Sequence, residues 1–312
     1  MPGAAGKRVL VVGEINVDLV FTGCRAEPAA GREVLADGFA MVPGSSSMIC
    51  ALGLARLGTP VRFHGKLGDD AWGAFCLDAL RGAGIDVASL RPDATLRTGI
   101  TASLSSASDR ALVTFPGAIA ALRADEVDDA LLAGADHLHV SSYYLQRSLR
   151  PGCRALFARA RAAGLSTSLD PGFDPEQLWN SDLLDVLREV DVFLPNETEL
   201  LAITGCARAD EALAALDNGR TLTVVKRGRQ GCSALDAGQW LEVPAFAVEA
   251  VDSTGAGDSF DAGFLHAWLD GRPLRECMRW GSACGSLSTR AVGGTPGQAT
   301  AAEAMALMAV AP

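Results

Sequence analysis

The stretch "VDSTGAGDSFDAGFLHAWL", residues 251–269, sets Gly255, Ala256 and Gly257 directly before Asp258 and then runs into an apolar helical pattern. Residues with almost no side chain let a ligand approach the backbone closely, and peptide N–H groups at a helix start lack partners and carry the positive end of the macrodipole. Such a turn is a hole for an anion. Asp258 falls in the first turn of the same helix, where a carboxylate would repel a simply bound anion. The pair makes sense for phosphoryl transfer: the N–H groups stabilise charge on the moving phosphoryl while the carboxylate takes the proton of an attacking hydroxyl. A second reading fits the same turn, in which the glycines merely permit the bend and Asp258 complements the helix dipole. This stretch by itself leaves both open.

Two other segments carry polar groups at informative spacing. In "GEINVDLV", residues 13–20, Asn16 and Asp18 lie two apart on one face of an extended segment, so both can point at one ligand. Polar groups at the end of a buried strand need partners, and ligand hydroxyls are suitable ones; an Asx turn closing a hairpin is the alternative. In "PNETEL", residues 195–200, Asn196 and Glu199 have the spacing of a helix capping box.

These residues need a scaffold. "RVLVVGEI", residues 8–15, is a short apolar run ending near a glycine, the pattern of a strand buried on both faces. "SSSMICALGLARLG" follows with helical periodicity, Met48, Ile49, Leu52 and Ala55 sharing a face and Gly58 as the stop. The alternation continues with "VRFHGKLG" as strand, "AWGAFCLDALRGAG" as helix, "DHLHVSS" as strand, "PGCRALFARARAAG" as helix and "LSTSLD" as strand, then "DVFLPN", "ETELLAITG" and "LTVVKRG". Strands alternating with glycine-terminated helices predict a three-layer α/β/α fold with a mostly parallel sheet. Ligands bind such sheets beyond the carboxyl ends of the strands, where the "STGAGD" loop falls. Residues 17–43 and 97–116 break the rhythm with period-two alternation. Each predicts a hairpin inserted between a core strand and its next helix, the two together forming a small β-sheet lid.

Composition excludes several classes. The 312 residues are about half apolar, at 49%, enough for one large α/β domain. Lys plus Arg number 27 against 37 Asp plus Glu, a net charge of -10 without a basic cluster, so nucleic acid is not an expected partner. No apolar run approaches the length of a membrane span, and the amino end is too briefly apolar for a signal-peptide core. The eight cysteines lie far apart without CxxC pairs or His partners at metal spacing, which suits a reduced cytoplasm. A nicotinamide enzyme needs G-x-G-x-x-G after a strand and a Walker-type NTPase needs G-x-x-x-x-G-K-[ST]; "VVGEIN" and "HGKLGDD" supply neither.

"DSTGAGDSFDAGF" resembles the second diagnostic motif of the PfkB, or ribokinase-like, sugar kinases, and the resemblance extends to "GEINVD", "PGSSSMICALGLARLG", "GKLGDDAWG", "PNETEL", "VVKRGRQGC" and "AVGGTP" in family order. It implies a single ribokinase-like kinase domain over residues 1–312 whose lid is the two inserted segments. It implies an ATP- and magnesium-dependent sugar kinase with Asp258 as catalytic base and Gly255, Ala256 and Gly257 as the anion hole. By the same resemblance Asp252 and Thr254 match a monovalent-cation position, such as potassium. Asn196 and Glu199 match an element that tunes magnesium and phosphate, with Glu199 acting through water. Lys226, Gly228 and Gly231 border the nucleotide, although a lone lysine after a strand is ordinarily solvated surface. The helix after "GDSFDAG" and the "STRAVGGTP" loop flank the adenine. Asn16, Asp18, Gly44, Ser45 and Ser46 hold the sugar. Relatives pair their lids in a dimer, so a homodimer is expected.

The resemblance weakens at two places. Ile49 stands where most relatives carry a sugar-binding Asn, leaving Ser45, Ser46 and Ser47 to donate in its place or to cap the helix. "SLDPGFDPEQLW" carries Gly172 and Asp174 where some relatives have Asn and Arg; losing that arginine makes a neutral sugar the expected acceptor unless Arg110 or Arg147 compensates. His139, Ser141, Ser142, Tyr143 and Tyr144 end a strand near the acceptor side, with His139 expected to be an ordinary part-buried histidine. A nucleoside kinase of the same family and a non-catalytic sugar or nucleotide sensor on this fold are the alternatives.

Overall fold

The structure, a computed structural model, describes residues 6–26, 29–105, 110–179 and 182–310. Residues 27–28 and 106–109, which belong to the two predicted lid segments, lie outside the described residues, as do the first five residues and the last two.

The strands are β1 (Val9–Val12), β2 (Asn16–Thr22), β3 (Gly38–Pro43), β4 (Val61–His64), β5 (Leu67–Gly68), β6 (Pro92–Asp93), β7 (Gly99–Ser105), β8 (Arg110–Phe115), β9 (His137–Val140), β10 (Ser166–Leu169), β11 (Val192–Phe193), β12 (Leu222–Lys226), β13 (Cys232–Asp236) and β14 (Gln239–Val243). The helices are α1 (Ser46–Arg56), α2 (Ala71–Gly82), α3 (Asp129–Ala133), α4 (Cys153–Ala162), α5 (Leu183–Leu187), α6 (Glu197–Thr204), α7 (Ala209–Ala215), α8 (Ala256–Leu269), α9 (Leu274–Ser288) and α10 (Ala301–Val310). The large sheet has the order β14-β13-β12-β11-β10-β9-β1-β4, parallel from β12 to β4 with β13 and β14 antiparallel at one edge.

Strand β1 shows why the run of apolar residues becomes a central strand. Successive side chains point to opposite faces, and here Val9 and Val11 enter a core shared with α1, α2, α8 and α9, while Leu10 and Val12 enter a second core shared with α4, α5, α6 and α7. All four are fully buried, each burial stabilising by about 1.5–3 kcal/mol. Helices on both faces leave no solvated side for polar alternation.

The predicted hairpins form as the pairs β2–β3 and β7–β8, and β2 joins β7 in parallel to make a separate sheet ordered β3-β2-β7-β8. The second hairpin follows α2 rather than a core strand. Asn16, Asp18 and Val20 lie on one face of β2 and are buried. Register places Leu19 and Phe21 on the other face with Met41, Phe39, Ala102, Val113 and Phe115. That outer face is apolar yet open, with Phe39 61%, Val113 63% and Phe115 53% exposed.

Two local expectations are corrected. The buried face of α1 holds Met48, Ile49, Cys50, Ala51 and Leu54, whereas Leu52 and Ala55 are only partly buried, because the helix is enclosed on several sides rather than along one stripe. "VRFHGKLG" is not one strand: β4 ends at His64, and Leu67–Gly68 pairs separately with β6. A side chain on Gly65 would lie 2.4 Å from the Gly13 carbonyl, so the chain turns there against β1.

Candidate active site

The carboxyl ends of β1, β9, β10 and β12 and the amino ends of α1, α6 and α8 bring most of the sequence-predicted residues together. Gly255 is the N-cap of α8 in the left-handed conformation, φ 71°, without a side-chain cap. A Cβ there would meet Gly294 Cα at 2.6 Å and Ile49 Cγ2 at 3.1 Å, so the glycine is required by both conformation and space. The N–H of Ala256 is satisfied by the Ser253 carbonyl at 3.2 Å. Among the described residues no protein acceptor faces the N–H groups of Gly257 and Asp258, the ordinary condition of a helix start.

Asp258 stands in that first turn, partly buried. Burial first, and then the charge of Asp170, push its carboxyl up to about 7, while the Lys226 ammonium and a Ser46 hydrogen bond pull the other way. A group poised there exchanges a proton near neutral pH.

Behind the turn lies a charged cluster that sequence reasoning missed. Lys226 Nζ donates to Asp170 Oδ2 at 2.6 Å and to Asp261 at 3.0 and 3.2 Å. Its side chain is 10% exposed, which overturns the expectation of solvated surface. The carboxylate oxygens of Asp170, Asp258 and Asp261 lie within 4.8 Å of one another, and the cation among them is Lys226. Although burial opposes its charge, Lys226 holds Asp170 below the usual carboxylate range; burial pushes Asp261 well above it. The available signal was an Asp one helical turn after Asp258 and another at the end of "SLD".

Asn196 and Glu199 close the predicted capping box: Asn196 Oδ1 accepts from the Glu199 N–H at 2.9 Å, and Glu199 Oε2 accepts from the Asn196 N–H at 2.8 Å. Glu199 is buried, and burial followed by the charge of Asp170 pushes it up to about 7. Asp252 Oδ1 accepts from the Thr254 N–H and hydroxyl at 2.9 and 2.8 Å, and its Oδ2 accepts from the Gly293 N–H at 2.8 Å, tying the "AVGGTP" loop to the α8 turn.

A cavity of about 640 Å³ opens beside Gly257, bordered by Lys226, Gly228, Gly231, Phe246 and Thr289. Of the "STRAVGGTP" residues, Thr289 reaches this cavity, whereas Gly293 packs on Val42 and Gly294 on Ile49.

At the start of β2, the Asn16 amide donates to Asp18 Oδ1 at 3.0 Å and to the Thr101 hydroxyl at 2.8 Å. A side chain on Gly44 would lie 2.0 Å from Asp18 Oδ1, so this glycine leaves the carboxylate its space. Ser45 accepts from the Met48 N–H as the α1 cap and donates to the Glu14 carbonyl; Ser47 donates to Glu14 Oε2 at 2.5 Å. Two of the three serines are thus spent internally, and Ser46 is the one that meets Asp258. Glu14 and Gln146 were missed. Glu14 is buried and raised by that burial, while Asn16 Oδ1 and Gln146 Oε1 are buried oxygens without a protein partner among the described residues.

Ile49 fills an apolar seat between Gly255 and Gly294, and its carbonyl accepts from Gln298 at 2.7 Å. Asp174 closes its own loop by accepting from the N–H groups of Glu176, Leu178 and Trp179, and Arg147 pairs with Glu176. The side chain of Arg110 lies outside the described residues. His139 is fully buried, not part-buried, bonded to Ser168 and Ser141 at 2.7 and 2.8 Å; Ser168 also bonds His137.

Comparison with known proteins gives the family and the fold. Residues 7–301 match the pfkB family carbohydrate kinase. The chain is 30% identical to "Probable fructokinase-4" of Arabidopsis thaliana, over 99% of both chains. It is also 30% identical to "ATP-dependent ribose-1-phosphate kinase" of Halopiger xanaduensis, over 90% of this chain and 91% of the relative. The crystal structure of a putative ribokinase II from E. coli in its apo form superposes with a TM-score of 0.87 at 25% identity, covering 97% of this chain and 99% of that one.

Proposed function

The chain belongs to the pfkB family of carbohydrate kinases, phosphotransferases with a hydroxyl acceptor, and we propose that it moves the γ-phosphate of ATP to a hydroxyl of a small neutral sugar within one kinase domain. The observation that carries this reading is Asp258 in the first turn of α8, beside the open N–H of Gly257 at the cavity and hydrogen-bonded to Ser46 at the start of α1.

ATP would occupy the cavity with its phosphates toward Gly257, a volume within the ordinary range for ligand pockets. Asp258 accepts the proton of the attacking hydroxyl, and the Gly257 N–H with the α8 dipole stabilises charge on the transferred phosphoryl. Gly255 acts by shaping the turn. Gly228 gives the nucleotide room, whereas at Gly231, which also borders the cavity, a Cβ would lie 2.0 Å from the Val243 carbonyl. Lys226, spent on two carboxylates, acts without reaching a phosphate. Glu199 fits a magnesium ion held through water, because a buried carboxylate driven toward its neutral form is relieved by a cation. Magnesium would supply charge neutralisation between the phosphates, with Asn196 keeping Glu199 in place. Asp252 and Thr254 offer oxygens for a monovalent cation such as potassium.

The partner chemistry supports a neutral acceptor. Asn16 Oδ1 and Gln146 Oε1 each want an O–H donor, and Asp18 and Glu14 add further acceptors. ADP release measured against neutral sugars, sugar acids and nucleosides tests the reading. A neutral hexose or pentose is expected to give the highest rate; preference for a nucleoside would move the acceptor class, and ligand-dependent stabilisation without ADP would leave a sensor.

The open apolar face of the small sheet is proposed to pair with a second copy, giving a homodimer through the lid. Light scattering at micromolar concentration should show twice the chain mass, and Val113→Asp should halve it. A monomeric wild type overturns the proposal.

A further inference from the structure

Lys226 ends β12 with its Nζ clamped by Asp170 and Asp261. A Cβ on Gly257 would lie 3.5 Å from that nitrogen, so the ammonium stands directly behind the turn that carries Asp258. Other groups facing Asp258 are Asp170 from the end of β10, Glu14 from beyond β1, Asp261 from α8, Glu199 from α6, and the Ser46 hydroxyl and Cys50 thiol from α1. Carboxylates this close in a poorly solvated pocket do not all ionise together. One fixed cation decides which of them does.

We propose that Lys226 is a positioning residue: its ammonium cancels the charge of the Asp170–Asp261 pair behind Asp258 and so fixes the pH range in which Asp258 is ionised. Burial drives Asp261 toward its neutral form while Lys226 and the hydrogen bond from Asp261 favour Asp170 as the ionised partner, so that with Lys226 charged the three groups sum to no net charge. Without the ammonium, a hydrogen-bonded acid–carboxylate pair retains one proton and one negative charge. That uncompensated charge, a few ångströms from Asp258, disfavours its ionisation. Removing Asp170 as well leaves Asp261 buried without a counterion, hence neutral, and the balance returns. The consequence for turnover rests on Asp258 being the base.

Carboxyl-carbon NMR titration of protein labelled with ¹³C-aspartate reads the prediction directly and needs no substrate. The Asp258 resonance is assigned by its loss in Asp258→Asn. In Lys226→Met, Asp258 is expected to titrate at least about one pH unit higher, a tenfold change in its ionisation constant. In Lys226→Met/Asp170→Asn it should return close to wild type. An unmoved Asp258 in Lys226→Met, or a double variant displaced as far as the single one, overturns the proposal, since a merely structural lysine would make the double variant worse. Should Lys226→Met not fold, Asp170→Asn/Asp261→Asn frees the ammonium, and Asp258 should titrate at least about one unit lower; no movement there is equally fatal. Turnover of Asp258→Asn tests the base assignment separately, so either idea can fail alone.

Discussion

Asp258→Asn should cost activity and add stability, and the stability gain has a definite pH signature. The folded protein holds this carboxyl at about 7 against an ordinary 3.8, burial and the Asp170 charge being the causes. A folded value above the unfolded one means the stability is fully present below about pH 4 and is lost as pH rises through 7. The difference of about three units amounts to about 4 kcal/mol as a ceiling, and the solvent that reaches partly buried Asp258 screens this to about 2 kcal/mol. Asparagine keeps the shape and an oxygen for Ser46 while removing the charge. Urea unfolding without nucleotide or magnesium should therefore show the variant more stable by about 2 kcal/mol at pH 8 and equal to wild type near pH 4. Turnover at pH 8 should fall by about 10²- to 10⁴-fold. Equal stability at pH 8, or a gain just as large at pH 4, would show that the pocket does not burden this carboxylate and would refute the reasoning.

Gly255→Ala must hold a side chain at φ 71° with its Cβ 2.6 Å from Gly294 Cα; thermal unfolding should show a loss of about 1–3 kcal/mol, and initial-rate kinetics a fall in kcat rather than in acceptor affinity. Asn196→Ala removes the α6 cap and half of the capping box, which should cost about 1 kcal/mol in urea unfolding. Burial pushes His139 down to about 4 and His137 to about 3, so the stability they permit is present above about pH 6.5 and lost as pH falls toward those values. His139→Asn should be less stable than wild type at pH 7, with the deficit narrowing by about 2 kcal/mol by pH 5 as wild type meets the cost of its neutral histidine; a constant deficit by urea unfolding would contradict this.

The local patterns legible in the chain were those with short-range causes. "RVLVVG" is apolar on both faces, and only a central strand between two helical layers uses such a run. The capping box at Asn196 and Glu199, the left-handed stop at Gly205 and the glycine turn before Asp258 depend on neighbours within a few residues. Period-two alternation disclosed both hairpins, although their joining through β2 and β7 needed the register between distant strands.

The site's electrostatics were not legible, because charge acts through space. Asp170, Lys226 and Asp261 are separated along the chain by 56 and 35 residues and meet only when β10, β12 and α8 converge. Read singly, Lys226 looks like a solvated side chain; buried among carboxylates it cannot be one. The same holds for Ile49, an anomaly against the sugar-binding pattern until Gly255 and Gly294 are seen to enclose it. Sequence alone determined which residue types stand at the strand ends and helix starts, since backbone propensity and apolar periodicity are local. Tertiary structure decided which of those groups are ionised, which hydroxyls are already spent, and which face of the small sheet stays open, because desolvation and Coulomb energy depend on distances that only the packed chain defines.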